Sequence, residues 1–143
     1  LSLIEDSTMW LYENKEFTEV PDNIIGFVYR ITNLKTGRQY IGKKLFSFAK
    51  RKSVKGKRKR VRVESDWRNY YGSNKELLHD VETHGPDAFQ REILHLCGNK
   101  GQCNYMEAKL QFLHGVLEHP DKFYNEWISC RVSVKHLAQK KTR

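Results

Sequence analysis

The chain has 143 residues, 38% of them hydrophobic and 12% aromatic, with 26 Lys or Arg against 17 Asp or Glu and a formal net charge of +9. This composition supports one folded domain and argues against a disordered chain, and no apolar run approaches the ~20 residues of a membrane-spanning helix. Three cysteines without a C-x-x-C pair and six scattered histidines point to neither a disulfide framework nor structural zinc.

The start, Leu1 to Ser7, lacks a basic region followed by an apolar one, so a cytoplasmic protein with no membrane partner is expected. Residues 1–23 read as an N-terminal arm, with Trp10, Leu11, Tyr12 and Phe17 to pack on the domain and Pro21-Asp22-Asn23 to punctuate its start. Ile24 to Thr32 is dense in β-branched and aromatic residues, and Arg38 to Lys43 alternates polar with apolar. With Asn33, Thr36 and Gly37 between them, the two predict a hairpin. Tyr29 and Tyr40 then lie on neighbouring strands, close enough to act together or to serve as two half-buried packing residues.

The charge is concentrated just beyond. Residues 43–64 hold eleven Lys or Arg and one acid, and the remainder of the chain carries a net charge of −1. Lys44, Lys50, Lys52, Lys55, Lys57, Arg58, Lys59, Arg60 and Arg62 form a footprint for a polyanion, phosphate backbones being the usual target. A solvated basic loop or a targeting signal is the plainer alternative. The Arg60-Val61-Arg62-Val63 alternation suggests a strand, so 44–64 is read as a projecting basic hairpin or ordered loop.

Trp67 and Arg68, with Tyr70 and Tyr71, then place aromatics beside a cation, a pairing that stacks on bases in nucleic-acid binders; the plainer reading, above all for Trp67, is that it and one tyrosine anchor the loop into the core. Ser73-Asn74-Lys75-Glu76 reads as a capping box opening a helix that ends at His84-Gly85-Pro86. Ala88 to Leu96 predicts a third strand, and Gly98 to Gly101 a loop. Asn104 to Glu107 is read as opening the next helix, with Met106, Leu110, Leu113 and Leu117 on its apolar face. Glu107 is then in its first turn, where it could complete a capping arrangement. The end, 128–143, is a thinner basic tail with Arg131, Lys135, Lys140, Lys141 and Arg143.

Phe27-Val28-Tyr29, ten intervening residues, then Tyr40-Ile41-Gly42 followed by Lys43-Lys44 resemble the signature of the GIY-YIG nuclease superfamily, as found in some phage-type homing endonucleases. One departure is Phe27, which stands where the family's first glycine usually does, with Gly26 one residue early. The resemblance covers about residues 24–127 and implies an α/β fold: a small, mainly antiparallel sheet of three central strands flanked by helices, with the basic insertion after the second strand.

It also implies a divalent-metal-dependent DNA endonuclease of phage or mobile-element type, located in the host cell if phage-encoded. Its partner would be double-stranded DNA, with a protein partner to supply specificity. Tyr29 or Tyr40 would activate the attacking water, and Lys43 would favour the phenolate. Roughly ten residues after the second tyrosine the family places a helix with an essential arginine; that count lands on Lys50 and Arg51, and Arg51 is the expected phosphate clamp. Glu107, early in the helix after the third strand, would ligate Mg²⁺ or Mn²⁺, and Asn125 resembles a supporting asparagine near the domain's end. The competing readings are a basic module that binds DNA or RNA without cutting, and a structure-specific repair or recombination nuclease.

Overall fold

The computed structural model describes residues 9–137. Its centre is β3, Gly26–Asn33, paired antiparallel on one side with β4, Gln39–Leu45, and on the other with β7, Phe89–Cys97. These are the three strands expected from sequence. Both faces of β3 are covered, which explains its nearly continuous run of apolar residues. In the turn before β4, the Asn33 side chain accepts hydrogen bonds from the backbone N–H of Lys35 and Thr36, and Gly37 takes φ +79°.

Two further strands lie in the stretch read as an arm. β1, Trp10–Tyr12, pairs parallel with β7, and β2, Lys15–Glu16, pairs antiparallel with β1, giving the order β2-β1-β7-β3-β4. The sheet thus has five strands. Trp10 and Phe17 join Phe27, Tyr29, Phe46 and Trp67 in an aromatic cluster on one face of the sheet.

That face is closed by α1, Lys75–His84, whose Leu77 is fully buried. Asn74, not Ser73, is its N-cap, accepting from the backbone N–H of Leu77 at 2.9 Å. The opposite face buries Val28, Ile41 and Cys97 against α2, Lys100–Leu113. This helix begins earlier than expected, because Asn99 caps it by accepting from Gln102 N–H and Gly101 is tolerated in its first turn. Glu107 is therefore the eighth helical residue, two turns in, and the capping explanation of it falls. Met106 and Leu110 pack on this core as expected, but Leu113 and Leu117 are exposed, since the helix stops at Leu113 and its inward face is completed by Cys103, Ala108 and Gln111.

Residues 47–64 form a separate two-stranded hairpin, β5, Ser47–Val54, and β6, Lys57–Glu64, turned at Lys55-Gly56. A helix was expected to begin here from the resemblance; among the described residues, the α-helix that follows the second strand begins only at Lys75. After α2 the chain returns beside the edge strand β4 through a Gln39 to Phe123 bridge, and a last short helix, α3, spans Val134–Leu137. Lys140, Lys141 and Arg143 lie outside the described residues.

Candidate active site

Register explains how the two tyrosines meet. Tyr29 is directly opposite Gly42, and Tyr40 is opposite Ile31, so the phenols are diagonal neighbours with ring centroids 6.2 Å apart. Residues 40 and 42 of a strand share a face, so the missing side chain of Gly42 makes the space into which the Tyr29 phenol folds. A Cβ at Gly42 would stand 2.6 Å from Tyr29 Oη and 2.9 Å from Tyr40 Cε2. Gly72, at φ +91°, closes the same space from the loop before α1, its Cβ position being 3.4 Å from Tyr29 Oη. Beside Tyr29 the β3–β7 register slips, with Val28 opposite His95 but Tyr29 opposite Ile93, a bulge of the kind that re-aims side chains next to sites.

These groups line a cavity of about 320 Å³ that also includes Lys43, Ser73, Asn74, Glu107, Gln111, Asn125 and Trp127. Of the residues expected in a site, Tyr29, Tyr40, Lys43, Glu107 and Asn125 are thus brought together. Each wall has a structural cause. Glu107 and Gln111, four apart on α2, share the helix face packed on β4, while Lys43 reaches from β4 to Glu107 at 3.8 Å and to the Asn104 side chain. Asn125 clamps the backbone of β4: its Oδ1 accepts from Ile41 N–H at 3.1 Å and its Nδ2 donates to Ile41 C=O at 2.8 Å.

Gln111 Nε2 donates to the same carbonyl at 2.9 Å. A carbonyl only accepts, so the amide NH₂ must face it, and Oε1 is left as a buried acceptor with no partner among the described residues.

The electrostatics correct one expectation. Burial pushes the phenol of Tyr29, 1% exposed, well above its ordinary range, and a hydrogen bond with Tyr70 adds to the effect. Tyr40 is also raised by burial, though its hydrogen bond with Ser73 works the other way. The charge of Lys43 is directed at Glu107, whose carboxyl is raised by burial and pulled back by Lys43, while burial dominates at both phenols. Both tyrosines therefore hold their protons in the free protein.

Arg51 is not at this site. It lies on β5 directly opposite Arg60, because the insertion pairs with itself as a hairpin, and among the described residues Lys43 is the only Lys or Arg lining the cavity. Trp67 is likewise not a stacking platform: it is buried against Phe46 and Phe17, with Trp10 Nε1–H donating to its carbonyl at 2.7 Å and its own Nε1–H donating to Glu64 at 3.0 Å. Arg68 lies over the Trp67 ring and hydrogen-bonds Thr18 C=O. Lys44 is held by Asp66 at 2.6 Å above the Tyr70 ring. The remaining hairpin cations, Lys50, Lys52, Lys55, Lys57, Arg58, Lys59, Arg60 and Arg62, are exposed.

Sequence reasoning passed over Tyr70, Ser73, Gln111 and Trp127 as site residues. The first three act on the site through long-range hydrogen bonds that have no local signature. Trp127, 71% exposed at the lip of the cavity, is the one exposed tryptophan of the three in the chain.

No curated protein and no solved structure gives a significant match to the chain. A family model does: "Putative endonuclease segE, GIY-YIG domain" matches residues 10–128, a span that begins with β1 and takes in both tyrosines, the basic hairpin, Glu107 and Asn125. With most of the sequence matched and the paired tyrosines facing a helix-borne glutamate across one cavity, this chain belongs to the GIY-YIG endonucleases, phosphodiester hydrolases whose substrate is nucleic acid.

Proposed function

We propose that the protein is a divalent-metal-dependent endonuclease of double-stranded DNA, of the homing type carried by phages and mobile elements. The observation that carries this reading is the convergence of Tyr29, Tyr40, Lys43 and Glu107 on one cavity. The residues fit a hydrated Mg²⁺: the Glu107 carboxylate is 14% exposed, the Oε1 of Gln111, unpartnered among the described residues, lies one helical turn further along, and the exposed Glu126 lines the same cavity. Glu107 would hold the ion, which supplies Lewis-acid polarisation of the scissile phosphate and stabilisation of the departing oxygen.

The chain's own groups divide the remaining work. Lys43, partly exposed, balances Glu107 in the free protein and moves its charge to a phosphate oxygen when DNA enters. Tyr29, the more deeply buried phenol, stays protonated and orients. Tyr40 costs less to ionise, being less buried and hydrogen-bonded with Ser73, so it takes the proton of the attacking water. Asn125 and Gln111 hold Ile41, the residue between Tyr40 and Gly42, so that neither phenol drifts.

Binding falls to the hairpin. Arg51 faces Arg60 and Lys52 faces Lys59 across the strands, like-charge pairs that cost stability in a two-stranded ribbon with little core of its own. A polyanion relieves that cost, and phosphate contacts carry no sequence information, so a protein partner or DNA structure sharpens site choice. The test is incubation of supercoiled plasmid with protein and Mg²⁺. Nicked or linear product that disappears with EDTA is expected, and intact plasmid over a range of Mg²⁺ and Mn²⁺ concentrations overturns the reading.

A further inference from the structure

A second, larger cavity of about 690 Å³ lies on the other side of Lys43, between the end of β4, the base of the basic hairpin and the first turns of α2. Lys43 lines both cavities, so the amine that meets a scissile phosphate also forms the threshold of the second space. The catalytic cavity does not use it.

We propose that this second cavity takes a nucleobase of the DNA next to the bond that is cut, turned out of its stack. The proposal rests on the reading of the first cavity as the cutting site. Its size suits a nucleotide, within the ~300–1,000 Å³ of ordinary ligand pockets. Its walls suit the two chemistries of a base. Leu45, Cys103 and Phe48 supply apolar surface, and Phe48 is an exposed aromatic ring on the strand that leads into the hairpin. Base faces stack on such rings whatever their sequence.

For the base edge, the Asn104 Oδ1 accepts from the Lys43 amine, and its NH₂ makes no hydrogen bond among the described residues. That leaves two donors for the acceptors, ring nitrogen or carbonyl oxygen, that every base carries on its edge. Lys100, exposed at the start of α2, is a cation for the phosphate that follows. Lys44 and Ser65 are already committed, to Asp66 and to the Leu45 carbonyl, and form fixed walls. The route is therefore continuous: hairpin cations, Phe48, the second cavity, Lys43, the catalytic cavity. A protein turning out one base should prefer sites where stacking or pairing is weak, since the unstacking cost is lowest there.

The experiment uses duplexes carrying one tetrahydrofuran abasic residue, moved position by position across the mapped cleavage site. Single-turnover cutting and anisotropy affinity are both measured for wild type, Phe48→Ala and Phe48→Tyr. For wild type, the missing base at one flanking position should slow cutting and weaken binding about tenfold, and a mismatch there should speed cutting. Phe48→Ala should lose this sensitivity while Phe48→Tyr keeps it, the second variant guarding against a general loss of fold. Wild type that is insensitive at every position, or sensitivity unchanged in Phe48→Ala, overturns the proposal. Failure to cut any DNA strikes the endonuclease reading instead, and the affinity scan still reports on the cavity.

Discussion

Replacing Gly42 by alanine adds one methyl group at the point where the two phenols meet. Its Cβ would lie 2.6 Å from Tyr29 Oη and 2.8 Å from Tyr29 Cζ, where ordinary contact begins near 3.4 Å, so the ring must move by about 0.8 Å. Tyr29 is packed against Trp10, Phe27 and Tyr70 and has nowhere to yield cheaply. Overpacking of this kind costs about 1–3 kcal/mol, and a displacement near 1 Å at a reacting group costs about a hundredfold in rate. Thermal unfolding and single-turnover plasmid cleavage should therefore both fall.

A double variant separates the two effects. Tyr29→Phe in the Gly42→Ala background removes the atom in closest conflict, so stability should recover in part while cleavage stays low, a coupling that independent sites would not show. Gly42→Ala that melts and cuts like wild type would refute the packing argument.

Three further outcomes follow from the same geometry. Glu107→Gln should abolish metal-dependent cutting yet leave stability at neutral pH equal or higher: burial raises the folded carboxyl above its unfolded value, so what it contributes is present at low pH and is lost as pH rises through the folded pKa. A drop in Tm with cutting retained would return Glu107 to a structural role. Tyr40→Phe should slow cleavage about 10²–10⁴-fold and remove a rise in rate toward alkaline pH, because burial places that phenol above its usual range; an unchanged pH profile would deny it the base role. Neutralising Lys57, Arg58, Lys59, Arg60 and Arg62 together should flatten the salt dependence of binding, expected near a slope of −5 if about six phosphates are met; an unaltered affinity and slope would place the DNA track elsewhere.

The tyrosine hairpin was legible because its signals are local: a β-branched and aromatic run on the first strand, alternation on the second and an Asn-to-Gly turn between them, with the pairing then fixed by that turn. The basic hairpin was legible for the same reason. The arm was not, because a three-residue strand pairing in parallel with β7 some eighty residues later has no local signature. Trp67 was open to two readings until its buried ring contacts closed one of them. Arg51 was misplaced because a count of residues after Tyr40 assumes a helix where this chain has inserted a self-paired ribbon.

The most instructive miss is α2. A 4-3-4 spacing of Met106, Leu110, Leu113 and Leu117 selects the stripe expected to be buried, yet Leu113 is 74% exposed while Gln111 is 4% exposed. Hydrophobic periodicity assumes that the buried face is apolar, and a helix that supplies a carboxylate to a cavity breaks that assumption on its inward side. Glu107 and Gln111, one turn apart, are that break: the first is raised by burial and paired with Lys43, the second is tied to the Ile41 carbonyl. Had the polar i, i+4 pair been weighed beside the leucines, the disagreement between the two stripes would itself have marked the helix as the one facing the site. The inward side of α2 is mixed: Met106, Leu110, Cys103 and Ala108 pack on the core, while Glu107 faces the cavity and Gln111 ties the helix to the Ile41 carbonyl of β4.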